Sequence, residues 1–131
     1  EEDALCMPDA KILAVDDTYT NLLVIKGLLK RTQMLVDLAV SGTECLQMTK
    51  KTKYDLILMD HMMPEPDGIQ TLHLLQEDGD NINHDTKVIV LTANAIAGMR
   101  EQYIEEGFTD YLAKPVEAKE LENMLYKYLG A

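Results

Sequence analysis

Leu56-Ile57-Leu58-Met59 is a run of four apolar residues that ends on Asp60 and then on the turn-forming stretch His61-Met62-Met63-Pro64-Glu65-Pro66-Asp67-Gly68. Four consecutive apolar side chains cannot alternate between core and water, so the run reads as a strand covered on both faces, as in a parallel sheet. Lys11-Ile12-Leu13-Ala14-Val15, stopping at Asp16-Asp17, and Lys87-Val88-Ile89-Val90-Leu91, ending on Thr92, have the same character. Parallel neighbours need crossover connections, usually helices. That requirement shapes everything between the runs.

Helical spacing appears where it is needed. From Thr18, Leu22, Ile25 and Leu29 fall on one face with Leu28 beside them, and Lys30-Arg31 stand in the last turn, where cations suit the helix dipole. Met34 to Ala39 reads as a second strand, and its Asp37 suits a sheet edge better than the centre. Ser41-Gly42-Thr43-Glu44 has the form in which Ser caps a helix start and Glu reaches back to the cap, so the second helix should run to about Lys51. Gly68 leads into Ile69, Leu72 and Leu75 at helical spacing, and Glu77 to Asp85 reads as a solvated loop, the least organised part of the chain. The fourth helix, about Ile96 to Glu106, contains Gly98 and has a weak apolar face, so it should be the least firmly held; Gly107 stops it. Thr109 to Ala113 makes a short, polar fifth strand, and Leu121, Met124, Leu125 and Tyr128 form the clearest helical stripe. Five β-α units in succession, with right-handed crossovers, make a doubly wound α/β domain.

Length and charge narrow the function classes. At 131 residues the chain is one domain that can bury a core without staples. A formal charge of −11 repels nucleic-acid phosphates, so nucleic-acid contact is not expected, and no apolar run is long enough to span a bilayer. Cys6 and Cys45 lie far apart without metal-ligand spacing and read as free thiols of a reducing compartment, which points to the cytoplasm. The opening Glu1-Glu2-Asp3-Ala4-Leu5-Cys6-Met7-Pro8 has neither an initiator Met nor a signal-peptide pattern, so residues 1–10 read as a linker or expression remnant and residues 11–131 as the domain.

The chemistry sits at the strand exits: Asp16 and Asp17 after the first strand, Asp60 after the third, Thr92 after the fourth, Lys114 after the fifth. Open parallel sheets bind ligands at the carboxyl ends of their strands. For the three carboxylates to meet, strands one and three must be neighbours, which gives the order 2-1-3-4-5. Taken alone, Asp60 would merely start a turn. Three clustered carboxylates repel one another, and a divalent cation relieves this most simply; an all-oxygen donor set favours Mg²⁺ (or Mn²⁺) over zinc. With the cation present, Lys114 and Thr92 can meet the oxygens of a phosphoryl group while one carboxylate attacks phosphorus. Spacing does not choose among Asp16, Asp17 and Asp60 for that role.

Val15-Asp16-Asp17, Leu58-Met59-Asp60 with Met62-Met63-Pro64 and Asp67-Gly68, Leu91-Thr92-Ala93, and Lys114-Pro115 together resemble the receiver domain of two-component response regulators, over about Lys11 to Leu129. The resemblance implies a flavodoxin-like fold. It implies that Asp60 takes a phosphoryl group from the phosphohistidine of a histidine kinase or histidine phosphotransfer domain. It further implies that Asp16 and Asp17 hold Mg²⁺ with Asp60 and the Met62 carbonyl, that Thr92 and Lys114 grip the phosphate, and that Tyr111 is the aromatic switch. Helix four, strand five and helix five become the output face and the expected site of any homodimer, and Lys114-Pro115 is expected to be cis. Such a domain catalyses its own phosphorylation and dephosphorylation without being a turnover enzyme. Asp60-His61-Met62-Met63-Pro64, Leu91-Thr92-Ala93-Asn94-Ala95 and Gly98-Met99-Arg100-Glu101 before Gly107-Phe108 are similar to receivers attached to hybrid sensor histidine kinases, whose parent chains can be membrane-anchored; a stand-alone regulator is the alternative. Pro66 departs from the usual pattern but removes no ligand.

Two rivals use related parts. A haloacid-dehalogenase-type phosphatase also combines an Asp nucleophile, Mg²⁺, a hydroxyl and a Lys, but its D-x-D is missing and no cap domain is present. A flavodoxin-like FMN binder needs hydroxyls and glycines after strand one, where this chain has two carboxylates. His61 is assigned no acid-base role, since adjacent residues at a strand end need not face each other. His73 and His84 have less claim, and the methionines suit core filling rather than a hard metal site. Met62, two residues after Asp60, has no polar group to orient an attacking water, so the phosphoaspartate should be long-lived.

Overall fold

The computed structural model describes residues 6–93 and 96–130. Five strands, β1 (Lys11–Val15), β2 (Leu35–Ala39), β3 (Leu56–Asp60), β4 (Lys87–Thr92) and β5 (Asp110–Ala113), alternate with five helices. The helices are α1 (Tyr19–Leu28), α2 (Gly42–Thr49), α3 (Gly68–Glu77), α4 (Met99–Glu106) and α5 (Ala118–Leu129). All pairings are parallel, in the order β2-β1-β3-β4-β5. Asp37 lies on the edge strand as its polarity requires, accepting a 2.7 Å hydrogen bond from the Tyr54 hydroxyl.

Period-two alternation sorts the strand residues into two cores. Ile12, Ala14, Leu56, Leu58, Ile89 and Leu91 face one side, where Leu22 and Ile25 of α1 and Leu121 and Leu125 of α5 cover them. Leu13, Val15, Ile57, Met59, Val88 and Val90 face the other, against Cys45 of α2, Leu72 and Leu75 of α3 and Tyr103 of α4. The apolar runs are therefore continuous because both faces are covered. No helix among the described residues is long and apolar enough to cross a membrane.

Several boundaries differ from the sequence expectation for local reasons. The first helix stops at Leu28, and Lys30–Thr32 form a 3-10 turn, from which Arg31 Nε and Nη2 each donate 2.9 Å bonds to Glu122 of α5. Ser41 does cap α2, accepting from the Glu44 N–H at 3.0 Å, but the Glu44 carboxylate reaches past the cap to the Val40 N–H. The fourth helix begins at Met99 rather than Ile96: Gly98 adopts φ 89°, the left-handed region, and breaks the helical path, leaving Ile96 exposed. Asn94 and Ala95 of the motif, and residues 1–5 of the opening stretch, lie outside the described residues. Met7 and Ala10 pack on the core beside β1, and the Met7 N–H donates to the Thr32 carbonyl.

The largest correction concerns the loop after α3. Asn81 and Asn83 are fully buried there rather than solvated. The Asn83 Oδ1 accepts from the Tyr54 N–H at 2.8 Å, and its Nδ2 donates to the carbonyls of Thr49 and Thr52. The Asn81 Nδ2 donates to the Thr49 hydroxyl. The loop is thus a polar plug that satisfies the backbone at the end of α2 and the start of β3.

Candidate functional site

The residues that end the strands converge. Parallel pairing sets Val15 opposite Met59, so the next residues, Asp16 and Asp60, become neighbours at the carboxyl edge of the sheet. Asp16 and Asp60 are buried and Asp17 is exposed, and each of the three offers an oxygen within 4.8 Å of the others. Asp16 is fixed by the Thr18 N–H at 2.9 Å and by the Asn21 Nδ2 at 3.2 Å. Lys114 crosses from the exit of β5: its N–H donates to the Thr92 carbonyl, and the Lys114–Pro115 bond is cis, as the resemblance implied. Its Nζ donates to Asp60 Oδ1 at 2.6 Å and to Asp16 Oδ2 at 3.3 Å. Glu65–Pro66 is also cis, which was not foreseen.

Burial and charge crowding shift both members of the pair. Burial pushes the Asp60 carboxyl above its ordinary range, and the charges of Asp16 and Asp17 add to this, while the Lys114 hydrogen bond and charge oppose it. Burial would lower Lys114, but its bond to Asp60 and the charges of Asp60 and Asp16 outweigh that and raise it. Three carboxylates face one ammonium, so a cation would relieve the remaining repulsion. The cluster contains only carboxylate oxygens and no sulfur or imidazole, the donor set of a hard ion such as Mg²⁺.

The turn after β3 is built to leave Asp60 at the edge. The His61 N–H donates to the Leu91 carbonyl and the Gly68 N–H to the His61 carbonyl. A Cβ at Gly68 would run into the Asp60 carbonyl oxygen, so only glycine lets α3 start this close. The Asp67 carboxylate caps α3 in a reciprocal box with Gln70. Met62 lies in this turn with its side chain in solvent, whereas Met63 is buried.

Thr92 is buried at the end of β4, one residue beyond Leu91, the partner of Asp60. Its Oγ1 accepts a 3.0 Å bond from the hydroxyl of Tyr103, whose oxygen lies 2.8 Å from His61 Nδ1. Sequence reasoning missed Tyr103, which sits in a helix with little apolar periodicity, and gave His61 no partner. Tyr111 is half-buried, its ring stacked on that of Tyr103 with centroids 6.4 Å apart. His73 lies away from this cluster, bound to the Glu106 carbonyl at 2.9 Å.

Comparison with known proteins adds an independent line. A model of the response regulator receiver domain family matches residues 12–126. The signal transduction histidine-protein kinase BarA of Escherichia coli K12 is 40% identical over 119 residues, covering 89% of this chain. The sensor histidine kinase GacS of Pseudomonas protegens is 30% identical over 131 residues, covering 98% of this chain. The chain spans only 12% and 14% of the lengths of these two relatives. Among solved structures, the receiver domain of sensor histidine kinase PA1611 from Pseudomonas aeruginosa PAO1, with magnesium coordinated in its active-site cleft, superposes with a TM-score of 0.80 at 33% identity, covering 93% of this chain and 98% of that one. The chemotaxis protein CheY4 of Vibrio cholerae gives a TM-score of 0.82 at 26% identity, covering 92% of this chain and 98% of that one.

Proposed function

The chain belongs to the response regulator receiver domain family, and on that premise we propose that Asp60 is the phosphoacceptor of a receiver module of a hybrid sensor histidine kinase. The observation that carries this reading is the 2.6 Å pair between Asp60 and Lys114 beside Asp16 and Asp17. Asp16 and Asp60 are both buried and both bonded to Lys114, and Asp60 has the shorter contact, 2.6 Å against 3.3 Å.

A carboxylate oxygen of Asp60 attacks phosphorus, the P–N bond of a donor phosphohistidine breaks, and the leaving imidazole takes up a proton. Lys114 balances charge on the phosphoryl oxygens, and the Thr92 hydroxyl donates to one of them. Asp16, Asp17, Asp60 and the Met62 carbonyl would hold Mg²⁺, which would supply positive charge so that phosphoryl oxygens and carboxylates can share the site. Tyr111 is the switch aromatic, and the face of α4, β5 and α5 carries the output and any homodimer contact. Residues 11–131 make the domain, with 1–10 leading into it. The module works on the cytoplasmic side, without contact to nucleic acid or membrane, and its parent chain carries the kinase.

Incubation with a phosphorylated histidine phosphotransfer domain and Mg²⁺ tests this. Label should move to the wild type, fail to move to Asp60→Ala, and stop when EDTA removes the metal. Transfer to Asp60→Ala at the wild-type rate would reject the assignment.

A further inference from the structure

Tyr103 is the single buried side chain of α4, at 2% exposure. Its ring meets His61 edge-on at 5.4 Å and Phe108 edge-on at 5.8 Å, and stacks on Tyr111. A phenylalanine would make all of these contacts. The hydroxyl is therefore extra to packing, and burying it is costly unless it is bonded. It is bonded at both ends. With its proton directed to Thr92, the Tyr103 oxygen accepts from His61 Nδ1, which must then carry a proton. Both partners flank the proposed phosphoacceptor: His61 follows Asp60 in the chain, and Thr92 follows Leu91, which pairs with Asp60 across the sheet.

We propose that Tyr103 is a positioning residue of the phosphorylation switch: its hydroxyl holds Thr92 in the arrangement of the unphosphorylated protein and ties that arrangement to α4. Displacement of Thr92 toward a phosphoryl group on Asp60 strains the Tyr103 bond. Tyr103 is the one fully buried side chain of α4, with Met99 partly buried against the same core, so the strain passes to the placement of that helix. The link acts as a brake on phosphorylation and as the path by which phosphorylation reaches α4. It rests on the reading of Asp60 as phosphoacceptor and of Thr92 as a phosphoryl ligand.

The test measures the rate constant for phosphorylation by acetyl phosphate with Mg²⁺ in the wild type, Tyr103→Phe, Thr92→Ala and the double variant. Tyr103→Phe keeps the ring and removes only the hydroxyl. Its rate should rise about fivefold, the factor that one net hydrogen bond of typical strength represents. In the Thr92→Ala background the same substitution should change nothing, because the brake acts through that hydroxyl. A rate unchanged or lowered by Tyr103→Phe, or a gain that persists without Thr92, overturns the proposal while leaving Asp60 in place. A wild type that takes no phosphoryl group removes the Asp60 reading, and this proposal with it.

Discussion

As the proposed phosphoacceptor, Asp60 would meet two demands that pull in opposite directions. A nucleophilic carboxylate must be ionised and poorly solvated, yet burial among other carboxylates favours its protonated form. Lys114 reconciles them by holding a positive charge 2.6 Å from Asp60. Met62, two residues on, is 72% exposed, so a substitution there leaves the core undisturbed. Met62→Asn places an amide able to orient an attacking water and should shorten the phosphoaspartate half-life severalfold, as followed by loss of label after donor removal. An unchanged half-life would discard that role. Asp16, Asp17, Asp60, Thr92 and Lys114 were legible because each is a polar residue at the point where an apolar run stops. Tyr103 was not, because its partners, His61 and Thr92, are distant in the chain and the bond exists only once β3, β4 and α4 are assembled. Asn81 and Asn83 misled for a related reason: an asparagine in a loop reads as a solvated turn residue, and only its backbone partners show it to be a plug.

At the scale of elements, α4 and α5 are held by different means. The last helix has a full apolar stripe, with Leu121 and Leu125 buried and Met124 and Tyr128 against the same core. The fourth relies on Tyr103, on the partly buried Met99 and on polar ties: Arg100 to Asp110 at 3.1 Å, and its C-terminal Glu106 and Gly107 carbonyls to His73 and Gln76 of α3. A helix attached in this way can shift with little loss of buried apolar surface, as the output role proposed for it would require. The 3-10 turn after α1 and the first half of α5 are joined by the Arg31–Glu122 pair, in which Glu122 is 93% buried by side chain and Arg31 half-exposed. The Arg31 guanidinium holds the Glu122 carboxyl below its ordinary range, against the opposing effect of burial. A depressed native pKa contributes stability that is present above the unfolded value of ~4.3 and lost as pH falls through the native value. Glu122→Gln should therefore lower the unfolding free energy at pH 7 by about 1 kcal/mol, the size of a net hydrogen bond to a half-exposed partner. The gap should close in acid below that range, as measured by denaturant titration at both pH values. A gap that does not depend on pH would contradict it.

For the whole molecule, strand order is what converts a list of polar residues into a site. The order β2-β1-β3-β4-β5 was inferred from the need to bring Asp16 and Asp17 to Asp60, and the fold has that order. Two-faced burial of β1, β3 and β4 leaves one edge of the sheet for polar side chains, and the candidate site occupies that edge. The most direct measurement of the central claim is peptide mapping by mass spectrometry after treatment with acetyl phosphate and Mg²⁺. One phosphoryl group, labile to hydroxylamine, should map to the peptide carrying Asp60 and be absent from Asp60→Asn. A single phosphoryl group on Asp16 or Asp17, or one that survives hydroxylamine, would contradict the account.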